Sequence, residues 1–154
     1  MKTLKQKDRT QLENYALRLL GQREWSRHLL EQKLKLMAAN KADVQEILDR
    51  FEENHWLDDH RFTEIYVRSC REQGYGPIKI RFKLKQKGIS DEIIDCKLDD
   101  RDTEWFLIAA RRRQLKFGDA PDTHEEKEKQ MRFIISRGFS FEHAKQSIKP
   151  CPEA

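Results

Sequence analysis

From residue 77 the chain reads PIKIRFKLKQKG, a run in which Ile78, Ile80, Phe82 and Leu84 alternate with Lys79, Arg81, Lys83 and Lys85. Taken alone, an apolar residue at every second position describes a strand with one wet face. A strand needs partners for its backbone hydrogen bonds, however, and no second alternating run bounded by turns occurs in the sequence. The flanks favour a helix: Gly76 and Pro77 suit an N-cap and first helical position, Gly88 suits a left-handed stop, and Lys and Arg are good helix formers. The segment is predicted helical from about Pro77 to Lys87. The alternation then resolves into two i, i+4 stripes, with Ile80 and Leu84 facing a core and Ile78 and Phe82 on another side. Phe82 is expected to contact either a neighbouring unit or a partner, and the neighbouring unit is favoured.

The same reading places helices near 10–21, 26–38 and 43–54, then 58–73, 77–87 and 90–97, then 102–117, 122–137 and 140–148. These form an internal repeat. Trp25-Ser26 and Tyr75-Gly76 lie 50 residues apart, as do Gly88-Ile89-Ser90 and Gly138-Phe139-Ser140, while Leu57-Asp58-Asp59 and Leu98-Asp99-Asp100 lie 41 apart. Each copy carries a bulky residue before a cap, able to pack on an apolar residue in the first turn. The expected pairs are Trp25 with Leu30, Tyr75 with Ile80, Ile89 with Ile94 and Leu57 with Phe62. Asp43 and Glu46 have capping-box spacing. By repeat offset, Ile80 and Leu84 correspond to Leu30 and Leu34.

The predicted fold class is all-α, with three tandem three-helix repeats packed end to end in an elongated molecule open to curvature. Residues 1–57 would hold an N-terminal arm and the first repeat, 58–99 the central repeat, and 100–154 the third repeat and a C-terminal tail. Composition agrees with slender, surface-rich units: 37% of the residues are hydrophobic and 38% charged. Cys70, Cys96 and Cys151 show no CxxC pairing, so neither a disulfide framework nor a zinc site is expected. No run approaches a membrane span, and a soluble, cytoplasmic protein is expected.

Charge is segregated. Residues 60–88 hold eight Lys/Arg against two Asp/Glu, and residues 105–117 hold four against none. Residues 42–59 reverse this, with one base and seven acids. Such blocks let one face gather positive potential, a footing for a polyanion.

The strings LDDHRF (57–62), GYGPIKIRFKLKQKGIS (74–90) and EKQMRFIISRGFSFE (128–142), in this order and spacing, resemble the bacterial RecX family of regulatory proteins. The resemblance runs from about residue 10 to 148 and is most specific in the central segment. It departs at Phe82, where the family pattern leads one to expect a polar residue. It implies three tandem three-helix repeats and no enzymatic activity or cofactor. It further implies binding to the RecA recombinase, lodging in its filament on single-stranded DNA, and inhibition of filament extension, ATP hydrolysis and strand exchange, within DNA repair, recombination and the SOS response. Some direct DNA affinity is also implied, and a monomer is expected.

The residues expected to carry such contacts form a basic face on the central repeat: Arg61, Arg68 and Arg71 on its first helix, Tyr75 before the second, and Lys79, Arg81, Lys83, Lys85 and Lys87 along it. Arg111, Arg112 and Arg113 would extend the track. Lysine and arginine on phosphates make affinity salt-dependent and carry no sequence information. Bland readings accompany the candidates. Tyr75 is accounted for by its packing on Ile80, Trp25, Trp56 and Trp105 by a core role, and the Asp58-Asp59 and Asp99-Asp100 pairs by capping. The five histidines lack metal-ligand spacing, and Gly74 and Gly76 lack a phosphate-loop context.

The rival function is a helix-turn-helix regulator whose 77–87 helix reads duplex DNA. Against it, Ile78, Lys79 and Ile80 offer no base-reading set. An α-repeat adaptor without a nucleic-acid role is the third reading, and an enzyme is the least supported.

Overall fold

The computed structural model describes residues 6–150. Among these, nine helices follow in order: α1 (Arg9–Gln22), α2 (Arg27–Met37), α3 (Ala42–Glu53), α4 (Asp59–Glu72), α5 (Pro77–Gln86), α6 (Asp91–Lys97), α7 (Glu104–Phe117), α8 (His124–Ser136) and α9 (Phe141–Ser147). Among the described residues the only extended pairing is one isolated parallel bridge between Lys7 and Ala38. The alternating segment is helix α5, as its caps dictate: Gly76 is the N-cap, Pro77 the first residue, and Gly88 adopts φ +79° after the last turn.

Ser26, Asp58, Ser90, Thr123 and Ser140 each accept a backbone N–H in the first turn of the helix they open. The capping box expected at Asp43 and Glu46 is absent. Lys41 occupies the N-cap of α3, Asn40 Oδ1 takes the Ala42 amide, and Glu46 pairs with Arg9 instead.

Burial divides into two clusters. Leu12, Leu30, Leu34, Ile47, Leu48 and Phe51 centre the first, which stays within α1–α3 and the turn after them. Ile80, Leu84 and Ile94 join Trp105, Ala109, Ile134 and Phe139 in the second, so α4–α9 share one continuous interior. Leu30, Leu34, Ile80 and Leu84 are all fully buried, as the repeat offsets require. At roughly 25 cal/mol per Å² of apolar area, each contributes about 2 kcal/mol. Leu57 and Phe62 do not form the expected pair: Leu57 closes the first cluster, whereas Phe62 belongs to the second. Trp25 and Trp105 are core residues, but Trp56 is half exposed against Phe51.

The second helices of the three repeats meet end to end. Ser26 Oγ, at the start of α2, donates to Lys87 O at the end of α5, 2.8 Å away. At the next joint the Gly76 and Ile78 amides, at the start of α5, donate to Arg137 O and Gly138 O at the end of α8, each at 2.9 Å. Both joints link residues 61 apart in sequence, Ser26 with Lys87 and Gly76 with Arg137. A helix start carries unpaired N–H groups and a helix end unpaired C=O groups; the second joint pairs the two directly, and in the first the Ser26 hydroxyl takes the carbonyl. Backbones approach closely enough that a Cβ at Gly76 would overlap the Gly138 carbonyl, which is why the hydroxyl of the first joint is replaced by an amide in the second. The first joint has one further tie, Asp59 Oδ1 accepting the Arg27 amide at 2.8 Å. Burial pushes the Asp59 carboxyl above its ordinary range, partly offset by that amide.

Candidate nucleic-acid interface

Helix α5 presents two cationic lines with opposite fates. Arg81 reaches Asp95 at 2.7 Å and Asp100 at 3.5 Å, and Lys85 reaches Asp91 at 3.2 Å, so the acidic α6 and the turn after it neutralise that side. Lys79, Lys83 and Lys87 point the other way, toward α4, and none is paired with a carboxylate among the described residues. Lys79 and Lys83 line a cleft of about 240 Å³ with Tyr66, Ser69, Cys70, Gln73, Tyr75 and Ile80. Lys79 Nζ lies 4.7 Å from the centre of the Tyr75 ring and Lys87 Nζ 5.3 Å from that of Tyr66.

Tyr66 and Cys70 in the cleft are held neutral. Burial, followed by the neighbouring Cys70 thiol, pushes the Tyr66 phenol up and keeps it protonated. Burial also raises the Cys70 thiol, against the pull of Tyr66, Lys87 and Lys83. The positive charge therefore resides on the lysines, over aromatic walls and an apolar floor.

The remaining candidate residues lie elsewhere or are engaged internally. Arg61 donates to Glu24 at 2.7 Å and to the carbonyls of His55 and Trp56, clasping α4 to the first repeat. Arg71 is shared between Asp102 and Glu104 and covers the Trp105 ring at 4.2 Å, tying α4 to the third repeat. Arg68 is well exposed, with Glu64 3.7 Å away. Of the arginine triplet, Arg113 is buried and donates to the carbonyls of Ser147, Gly118 and Asp119, so it is no part of a surface track. Arg112 donates to Glu72 O, and only Arg111 projects freely into solvent.

Phe82 is 60% exposed, so most of the ring is left open to solvent rather than buried against a neighbouring repeat as favoured from the sequence, and Ile78 is likewise exposed. Tyr66, Ser69 and Gln73 of the cleft, and Arg137 behind Tyr75, are not singled out by the sequence. Tyr66 carries no local motif. Arg137, whose guanidinium lies 4.1 Å from the centre of the Tyr75 ring and donates to the Gln73 and Gly74 carbonyls, was discoverable: it precedes Gly138 as Lys87 precedes Gly88.

Among the described residues no His, Cys, Asp or Glu cluster could hold a metal ion, and no helix is long and apolar enough to cross a membrane. Cys70 and Cys96 are free thiols, and Cys151 lies outside the described residues.

Fold and cleft together define an all-helical protein of three tandem three-helix repeats. The family model for the second three-helix domain of RecX matches residues 58–98. Regulatory protein RecX of Halorhodospira halophila is 35% identical over 139 residues, covering 90% of this chain and 86% of that protein. Its counterpart from Legionella pneumophila (strain Corby) is 41% identical over 125 residues, covering 80% and 83%. The crystal structure of RecX from Lactobacillus salivarius has the same fold, with a TM-score of 0.78 at 22% identity over 91% of this chain and 94% of that one. The chain belongs to the RecX family of regulatory proteins.

Proposed function

We propose that this protein binds the RecA recombinase and its filament on single-stranded DNA, restraining filament extension, ATP hydrolysis and strand exchange. It does so in the cytoplasm, as a monomer, by binding and without chemistry of its own. Family membership points to the regulatory role. The observation in the molecule that supports it best is the unpaired lysine line Lys79, Lys83 and Lys87, set against a neutralised opposite side. Three repeats, taken as residues 1–57, 58–99 and 100–154, allow several modest contacts along a helical filament to act together, so that affinity comes from avidity rather than from one deep pocket. Phosphate contacts by lysine make the DNA component salt-dependent and indifferent to sequence.

The duplex-reading alternative fares poorly. A recognition helix delivers its N-terminal residues to base edges, but the start of α5 is sealed in the joint with α8, with Gly76 and Pro77 buried.

The test is DNA-dependent ATP hydrolysis by RecA with this protein added below RecA stoichiometry. Turnover is expected to slow. The triple variant Lys79→Glu, Lys83→Glu, Lys87→Glu is expected to lose the inhibition while its circular dichroism keeps the parent's helix content. Unchanged turnover at every ratio of the parent protein would remove the reading.

A further inference from the structure

The lysine line explains attraction to phosphates, but not why it borders a cleft. We propose that the cleft between α4 and α5 receives one unstacked base of a single-stranded nucleic acid, with Lys79, Lys83 and Lys87 taking the phosphates on either side. This rests on the nucleic-acid part of the function proposed above.

The lining has the composition such a ligand requires. Two aromatic rings from different segments, Tyr66 in α4 and Tyr75 in the turn before α5, flank the cleft, and Ile80 and Cys70 give it an apolar floor. Ser69 and Gln73 add a hydroxyl and an amide at the side; Gln73 Nε2 donates to Ser69 Oγ at 3.2 Å, and the amide oxygen and the hydroxyl proton are left to meet the polar edge of a base. Core packing accounts for part of this: Tyr66 stacks on Phe62 with ring centroids 6.0 Å apart and planes 9° apart. It does not account for the open volume bordered by both tyrosines and by lysines without carboxylate partners among the described residues.

Lys79 and Lys87, over those rings, are long side chains free of carboxylate partners among the described residues. When phosphates arrive they can leave the ring faces, so the same movement supplies the ion contact and uncovers the stacking surface. Arg137, held by two backbone carbonyls, stays in place behind Tyr75. Because the cleft is recessed between two helices, duplex DNA can bring phosphates to the lysines but cannot bring a paired base to the floor. The site therefore distinguishes single strands from duplexes without reading sequence, since every base offers a flat face.

The decisive probe is a strand lacking bases. Binding of the full chain to oligothymidylate and to an abasic strand of equal length and charge is measured at the same salt concentration. The thymidylate is expected to bind on the order of tenfold tighter, the gain typical of one base stacked on an aromatic ring. Ser69→Met, which plugs the side of the cleft, is expected to erase that difference while its circular dichroism keeps the parent's helix content. Equal affinity of the parent protein for both strands would overturn the proposal while leaving a purely electrostatic lysine face standing.

A second measurement needs no variant. A strand carrying 5-iodouracil, irradiated on the parent protein, is expected to crosslink at Tyr66 or Tyr75, and crosslinks confined to other repeats would overturn the proposal as well. Failure to inhibit RecA would bear on the filament reading alone, because both measurements omit RecA.

Discussion

His143 caps helix α9 only as a neutral ring. Its Nδ1 accepts the Ser140 amide at 3.2 Å while Ser140 Oγ accepts the His143 amide, a reciprocal box closed by an imidazole where Glu or Gln is usual. Burial between Phe106 and Phe139 lowers its pKa from the ordinary value, with Asp100 and Glu142 pulling weakly the other way. Because the folded pKa lies below the unfolded one, the unfolded chain binds more protons in the window beneath about pH 6.5. The capping contribution is fully present above that window and is lost as the pH falls through the folded value. Thermal unfolding at pH 7.5 and 5.5 is expected to show a steeper loss for the parent protein than for His143→Gln, whose amide closes the same box without titrating. Parallel losses in the two proteins would place the acid sensitivity elsewhere.

At the scale of the element, the end-to-end joints set the sharpest constraint. Gly138 has φ +96°, and a Cβ there would overlap the Lys79 Cβ and press on its backbone. Gly21, inside α1, has nothing near its missing Cβ and no positive φ. Gly21→Ala therefore meets neither cost, whereas Gly138→Ala carries a conformational one of about 1 kcal/mol and a steric one besides, for a total above about 2 kcal/mol. Calorimetry is expected to show the Gly138 variant melting several degrees below the Gly21 variant, at about 2–4 °C per kcal/mol for a chain of this size.

The joints also explain what the sequence disclosed and what it withheld. Helix identities were legible because caps and stops are local, as Gly76, Pro77 and Gly88 are around α5. The core pairs were legible because the repeat offsets aligned Ile80 and Leu84 with Leu30 and Leu34. The candidate interface was legible only in part. Whether an arginine faces solvent or a carboxylate depends on residues far along the chain: Arg61 on Glu24, Arg71 on Asp102, Arg113 on Ser147. Likewise Leu57 and Phe62 sit five residues apart, yet belong to different interiors because the boundary between repeats runs between them.

For the whole molecule, the division of burial predicts unequal stability. The first three helices enclose their own apolar cluster, while the other six share one. A cavity made in the smaller cluster should loosen it before the rest. Leu30→Ala removes a fully buried side chain and is expected to cost about 2–5 kcal/mol. Native-state hydrogen exchange is expected to show faster exchange in α1–α3, with α4–α9 keeping their protection. Uniform acceleration throughout the chain would mean that the joint at Ser26 and Lys87 couples the two clusters into one cooperative block.

That joint has a consequence for how such a chain can lengthen. The central repeat carries a plug at Gly76 and a socket at Lys87 and Gly88, whereas each outer repeat uses only one of the two. A tandem copy of the middle segment would arrive with both fittings already shaped for its neighbours, so gene duplication could grow this architecture one module at a time without inventing a new seam.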